Sequence, residues 1–103
     1  MFSESIKNIY QEKFTKEISD RSSVWEEIIN ESDINEEQKE KLLELINSYK
    51  NRRFTIHDQP YDVCRGLISQ MLTILFNSEN EGEKALFENL RDDIWDMYKN
   101  MEK

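Results

Sequence analysis

Apolar residues recur at steps of three and four along most of this chain, and the pattern predicts helices. Phe2, Ile6, Ile9, Tyr10, Phe14 and Ile18 share one helical face, which predicts a first helix over about residues 3 to 19. Ser23 and Glu26 stand at capping-box spacing, where each side chain satisfies a free backbone N–H at the other residue. They predict the start of a second, short helix with Val24, Trp25, Ile28 and Ile29 as its apolar side. A third helix follows "ESDIN", where Asn35 with Gln38 and Asp33 with Glu36 compete as the cap. Leu42, Leu45, Ile46 and Tyr49 line its face, with Leu43 beside them, and it frays near Asn51.

A fourth helix begins near Pro60, whose missing N–H is no loss in a first turn, with Asp58 placed to cap it. Its apolar residues (among them Tyr61, Val63, Cys64, Leu67, Ile68, Met71, Leu72 and Leu75) cover more than one stripe, which predicts the central helix of the domain. Ser78 and Glu81 form another capping pair, ahead of a last helix reaching about Met101. Leu86, Leu90, Ile94, Met97 and Met101 are its seam, flanked by Phe87, Trp95 and Tyr98. Only "NRRFTIHDQP" alternates as a strand would. A lone short strand has no partner, so the segment reads as an extended connector. Two Gly and one Pro leave little turn chemistry for sheets. The expectation is an all-α fold: one domain over residues 1–103, with about five helices in bundle-like or orthogonal packing.

Composition changes this picture in one respect. Apolar residues are 37% and charged residues 35% of the chain, so the core is thin and the surface heavily charged. Aromatics at 11% separate it from disordered chains, which are poor in them. The net charge of −8 argues against direct nucleic-acid binding and against anionic membrane surfaces, both of which need basic patches. No stretch approaches 18 apolar residues, and "MFSESIKNIYQEKF" has early acids and no apolar run of a signal peptide. A cytoplasmic protein is expected.

The single His, Pro and Cys all fall in "HDQPYDVC". A thiolate nucleophile needs a base in reach, yet His57 lies outside the helix start and Cys64 about one turn inside it, among Val63, Leu67 and Ile68. Cys64 therefore reads as a small buried hydrophobe and His57 as a loop residue or a partner of Asp58. One His and one Cys fall short of a zinc ligand set, and one Cys cannot form an internal disulfide. Gly-rich phosphate loops are absent, and Gly66 reads as a close packing point between helices. Neither a catalytic residue, a metal site nor a cofactor is expected.

Charge is unevenly spread. From Glu26 to Glu44 there are eight acids against Lys39 and Lys41, and from Glu79 to Asp96 seven against Lys84 and Arg91. Glu36, Glu40 and Glu44 stand at i, i+4, i+8, as do Glu88, Asp92 and Asp96. Like charges so spaced destabilise a helix by about 0.2–0.5 kcal/mol per pair, so a helix selected only for its own stability would alternate signs. A solvated face that keeps a small protein soluble is the plain reading of either ridge alone. Two ridges, with Trp95 and Tyr98 beside Asp92, Asp93 and Asp96 and with Trp25 beside Glu26 and Glu27, instead point to docking on a basic surface. Lys50, Arg52 and Arg53 are too few for RNA contact and read as a loop that pairs with the acidic helices or as a rim contact.

The functional expectation is a small acidic binding protein, monomeric when free, that inhibits a basic partner protein. The clearest case is an immunity protein or antitoxin that covers the positive active surface of a nuclease-type toxin. A phage-type nucleic-acid mimic that blocks a host defence nuclease would use the same physics. A non-catalytic helical subunit or adaptor of a larger complex would instead show an apolar docking patch.

Overall fold

Four helices account for most of residues 2–75 and 81–101, the part of the chain that the computed structural model describes, with side chains from residue 9 onward. They are α1 (Phe2–Glu31), α2 (Glu36–Lys50), α3 (Pro60–Leu75) and α4 (Glu81–Met101). No strand occurs among the described residues. The fold is all-α, with four helices where the sequence pattern led us to expect about five.

The difference lies at Ser23. The two expected N-terminal helices are one helix of 30 residues, about 45 Å long. Nothing between Ile18 and Trp25 breaks a helix, and positions 11, 14, 18, 22, 25 and 29 form one uninterrupted buried stripe. Ser22 is the polar member of that stripe. It is fully buried, and its hydroxyl donates to the Ile18 carbonyl at 2.5 Å, so the helix itself satisfies it. Ser23 is exposed in mid-helix, and Glu26 reaches Lys50 of α2 at 2.9 Å instead of a free N–H.

The second half of the chain follows the sequence pattern more closely. Asn35 caps α2, with extended φ/ψ of −70° and 157°, and its side chain accepts from the Gln38 N–H at 2.8 Å. Glu36 and Glu37 in the first turn and Lys50 in the last suit the helix dipole. Asp58 does not cap α3. Its carboxylate turns back to accept from the Thr55 N–H at 2.8 Å and from Arg52 at 2.7 Å. The Thr55 N–H foremost, aided by Arg52, holds that carboxyl below its ordinary value. Gln59 opens α3 instead, its carbonyl accepting from the Val63 N–H at 2.9 Å. Phe54 pins the connector by burying its ring against Phe14 and donating its N–H to Thr15. Residues 76–80, including Phe76 and the Ser78 side of the expected cap, lie outside the described residues.

In space α1 packs on α2 and α4, and α3 packs on the same two helices, so α1/α3 and α2/α4 are the diagonal pairs. The core fills the space between them with Phe14, Ile18, Trp25, Ile29, Leu42, Ile46, Leu67, Met71, Leu90 and Ile94, all fully buried. In this ring no helix is central, which corrects the expectation for α3. Its surplus apolar residues are surface instead, with Tyr61 50% and Leu72 45% exposed. Gly66 is not a close packing point either. A Cβ there would meet the Tyr49 hydroxyl at 3.7 Å, an ordinary contact, so the glycine costs helix propensity of about 1 kcal/mol relative to Ala with no packing in return. Among the described residues no helix is long and apolar enough to cross a membrane.

Candidate protein-binding faces

The charged groups divide into those that pair with a group elsewhere in the fold and those that stand in outward-facing rows. Arg21 on α1 grips Asp93 on α4 with both arms of its guanidinium, Nε at 3.1 Å from Oδ2 and Nη2 on Oδ1. The Trp25 indole N–H donates to the same Oδ2 at 2.5 Å. The Asp93 carboxylate raises the pKa of Arg21 further above its ordinary value. Lys50 pairs with Glu26, Arg52 with Asp58 at 2.7 Å, and Arg53 with Glu12 at 3.8 Å. The basic segment thus pairs with carboxylates of its own chain.

The two acidic rows remain outward. Glu36, Glu40 and Glu44 are exposed on the face of α2 away from the core. Lys39 reaches Glu36 only at 3.8 Å and donates to the Asn30 carbonyl at 3.2 Å. Glu88, Asp92 and Asp96 are likewise exposed on α4, with Arg91 folded onto Asp92 at 3.1 Å. Because α2 and α4 are a diagonal pair, the rows point away from each other, and one flat partner surface cannot meet both. Asp93 stands apart from its neighbours. It lies on the α1 flank of α4, engaged by Arg21 and Trp25, while Asp96 helps line a cleft of about 380 Å³ between α1 and α4 with Lys13 and Glu17.

The aromatics separate the rows further. Trp25 is core, with no exposed surface, so no aromatic from it reaches the α2 row. Trp95 and Tyr98 are partly buried and meet Tyr61 from the start of α3. The ring centroids are 5.4 Å apart for Tyr61–Trp95, 6.0 Å for Tyr61–Tyr98 and 5.9 Å for Trp95–Tyr98. Tyr61 is the residue that sequence reasoning missed. Its signal was its register: Val63, Cys64, Leu67, Met71 and Leu75 are the buried set of α3, and Tyr61 falls outside that stripe, in line with Ile68 and Leu72.

The segment "HDQPYDVC" has the geometry its spacing implied. His57 is exposed on the connector and Cys64 is fully buried, where desolvation pushes its thiol up to about 12. Such a thiol stays protonated at neutral pH and is a poor nucleophile. Among the described residues, no group of three or more His, Cys, Asp or Glu side chains is placed to hold a metal ion.

Comparison with protein-family models, with characterised proteins and with solved structures returns no match.

Proposed function

We propose that this chain is a small cytoplasmic binding protein that neutralises a basic partner. The leading case is an immunity protein or antitoxin that covers the positively charged active surface of a nuclease-type toxin. The observation that carries the reading is the division of charge: Arg21, Lys50, Arg52 and Arg53 are turned onto carboxylates of their own chain, while the rows on α2 and α4 are left facing solvent. A molecule of net charge −8 arranged in this way presents negative potential outward. That potential speeds encounter with a cationic surface and disfavours nucleic acid and anionic membranes. A nuclease site is cationic because it holds phosphates, and carboxylates at helical spacing can take their place. A nucleic-acid mimic against a host defence nuclease works by the same attraction with a different target.

The Tyr61–Trp95–Tyr98 group, with Tyr61 half exposed, favours a second reading, a helical subunit or adaptor held by apolar contact. Salt separates the two. Affinity capture from source-cell lysate at low salt, eluted by a salt gradient, is expected to release a basic nuclease-type protein from the wild-type chain. The Glu88→Lys/Asp92→Lys/Asp96→Lys variant is expected to fold and to capture none of it. A neutral partner that resists salt, captured equally by both chains, overturns the inhibitor reading in favour of the subunit.

A further inference from the structure

We propose that the Tyr61–Trp95 surface, at the α3/α4 seam, is a seat for arginine side chains of a partner protein, and that this seat rather than the α2 row is where the partner's cationic surface docks. The inference rests on the cationic-partner reading above and names its contact face.

Three observations support it. Tyr61 is half exposed with its ring tilted 32° against that of Trp95 at 5.4 Å, so an aromatic face is open to solvent where α3 begins. That surface continues along α3, where Ile68 and the 45% exposed Leu72 share its face at i+7 and i+11. Carboxylates flank it: Glu88 and Asp92, the latter also held by Arg91, stand seven and three residues before Trp95 on α4, both exposed.

The chemistry that fits rings edged by carboxylates is a planar, weakly hydrated cation. A guanidinium stacks on an aromatic face and forks to a carboxylate at once, whereas an ammonium is a hydrated point charge that does neither as well. The protein already makes this arrangement internally. Arg91 lies over the Phe87 ring at 5.7 Å while holding Asp92, and Arg52 lies over Phe54 at 4.9 Å while holding Asp58. Among the described residues no guanidinium lies over Tyr61 or Trp95. A second copy of this chain is the poorer occupant, since it would bring another −8 against the same carboxylates. Arg65, at i+4 from Tyr61, and Arg91 and Lys99, at i−4 and i+4 from Trp95, are the cations that oppose an incoming arginine, and Arg91 is itself engaged by Asp92 and the Phe87 ring.

The test titrates the full chain with octa-arginine and octa-lysine peptides of equal charge, following the two tryptophan indole N–H resonances. Trp25, enclosed in the core, is the internal control for folding. Octa-arginine is expected to move the Trp95 resonance, leave that of Trp25 in place, and bind at least about threefold tighter than octa-lysine. Tyr61→Leu keeps apolar bulk but removes the ring, and is expected to erase the preference for arginine. Tyr61→Phe keeps it, and Lys99→Glu strengthens it. Equal affinity for the two peptides, or octa-arginine binding that leaves the Trp95 resonance in place, overturns the seat. So does a Trp95 shift that follows protein concentration without peptide, because that outcome marks self-association. Seating of octa-arginine by a chain that inhibits no nuclease-type toxin supports the seat and removes the toxin reading alone.

Discussion

Trp25 and Trp95 have similar neighbours along the chain and opposite surroundings in space. Each stands next to acids, Glu26 and Glu27 in one case, Asp96 and the Asp92–Asp93 pair in the other. Trp25 has no exposed surface and gives its N–H to Asp93 across the α1/α4 seam, while Trp95 is partly exposed and meets the tilted Tyr61 ring at the protein's surface. Register decides between them. Position 25 falls seven after Ile18 and four before Ile29, in the buried stripe of α1, whereas Trp95 falls one residue after Ile94 and so leaves the seam of α4 sideways. An aromatic beside acids is thus no sign of a docking face until its place in the helical repeat is known.

The largest test of that contrast removes each indole in turn. Trp25→Ala is expected to lower stability by about 3–5 kcal/mol, as truncation of a fully buried large aromatic does. Trp95→Ala is expected to cost about 1 kcal/mol while removing most of the partner affinity. Urea unfolding and partner binding measured on both variants check this, and equal losses of stability would abolish the contrast. Next in size, Asp93→Ala leaves the Arg21 guanidinium and the Trp25 indole N–H without their acceptor and is expected to cost about 2 kcal/mol in the same assay.

Cys64 extends the comparison to α3, where it lies three residues after Tyr61 but faces inward. Its folded thiol is raised from 9.0 to about 12, so between those values the unfolded chain has lost a proton that the folded chain keeps. Stability from this group is therefore full below pH 9 and falls as pH rises toward 12, by up to about 1.4 kcal/mol per pH unit. Cys64→Ala is expected to flatten that part of the alkaline unfolding curve, and an unchanged curve would show that the thiol is not shielded. The smallest effect belongs to the α2 row. Glu40→Lys turns two like-charge spacings into opposite-charge ones and is expected to raise stability by about 0.5–1 kcal/mol, read by thermal unfolding, with arginine-peptide binding unchanged.

Much of the fold is legible in the residue pattern, and the exceptions have physical causes. The α4 seam is legible because every member from Leu86 to Met101 is apolar and at steps of three or four, and all are buried. The Asn35 cap is legible as one of two spacings, with Asp33 the loser because the chain enters the helix only after Ile34 is buried. The unbroken α1 is not, because Ser22 and Ser23 look like a boundary. Only the hydroxyl bond back to Ile18 makes a serine acceptable in the core stripe. The acidic rows are legible from spacing alone, as is the exposure of their side chains. That Asp93 belongs to the interior depends on Arg21 and Trp25, 72 and 68 residues away, and no local pattern carries that information. Tyr61 was hidden by the surplus of apolar residues around it.

The Arg21–Trp25–Asp93 contact has a consequence for the order of assembly. The α1/α2 and α3/α4 pairs are hairpins of neighbouring helices, whose loops close at small entropic cost, whereas the Asp93 contact joins the two ends of the sequence. The hairpins are expected to form first and the α1/α4 seam last. In stopped-flow chevrons Asp93→Ala should then speed unfolding and leave the folding rate nearly unchanged, and a slowed folding limb would reverse that order. The protein then opens first as two hairpins parting along the α1/α4 and α2/α3 contacts. Tyr61, Trp95 and the α4 acids all belong to the second hairpin, so the proposed docking surface is expected to outlast the first step of unfolding.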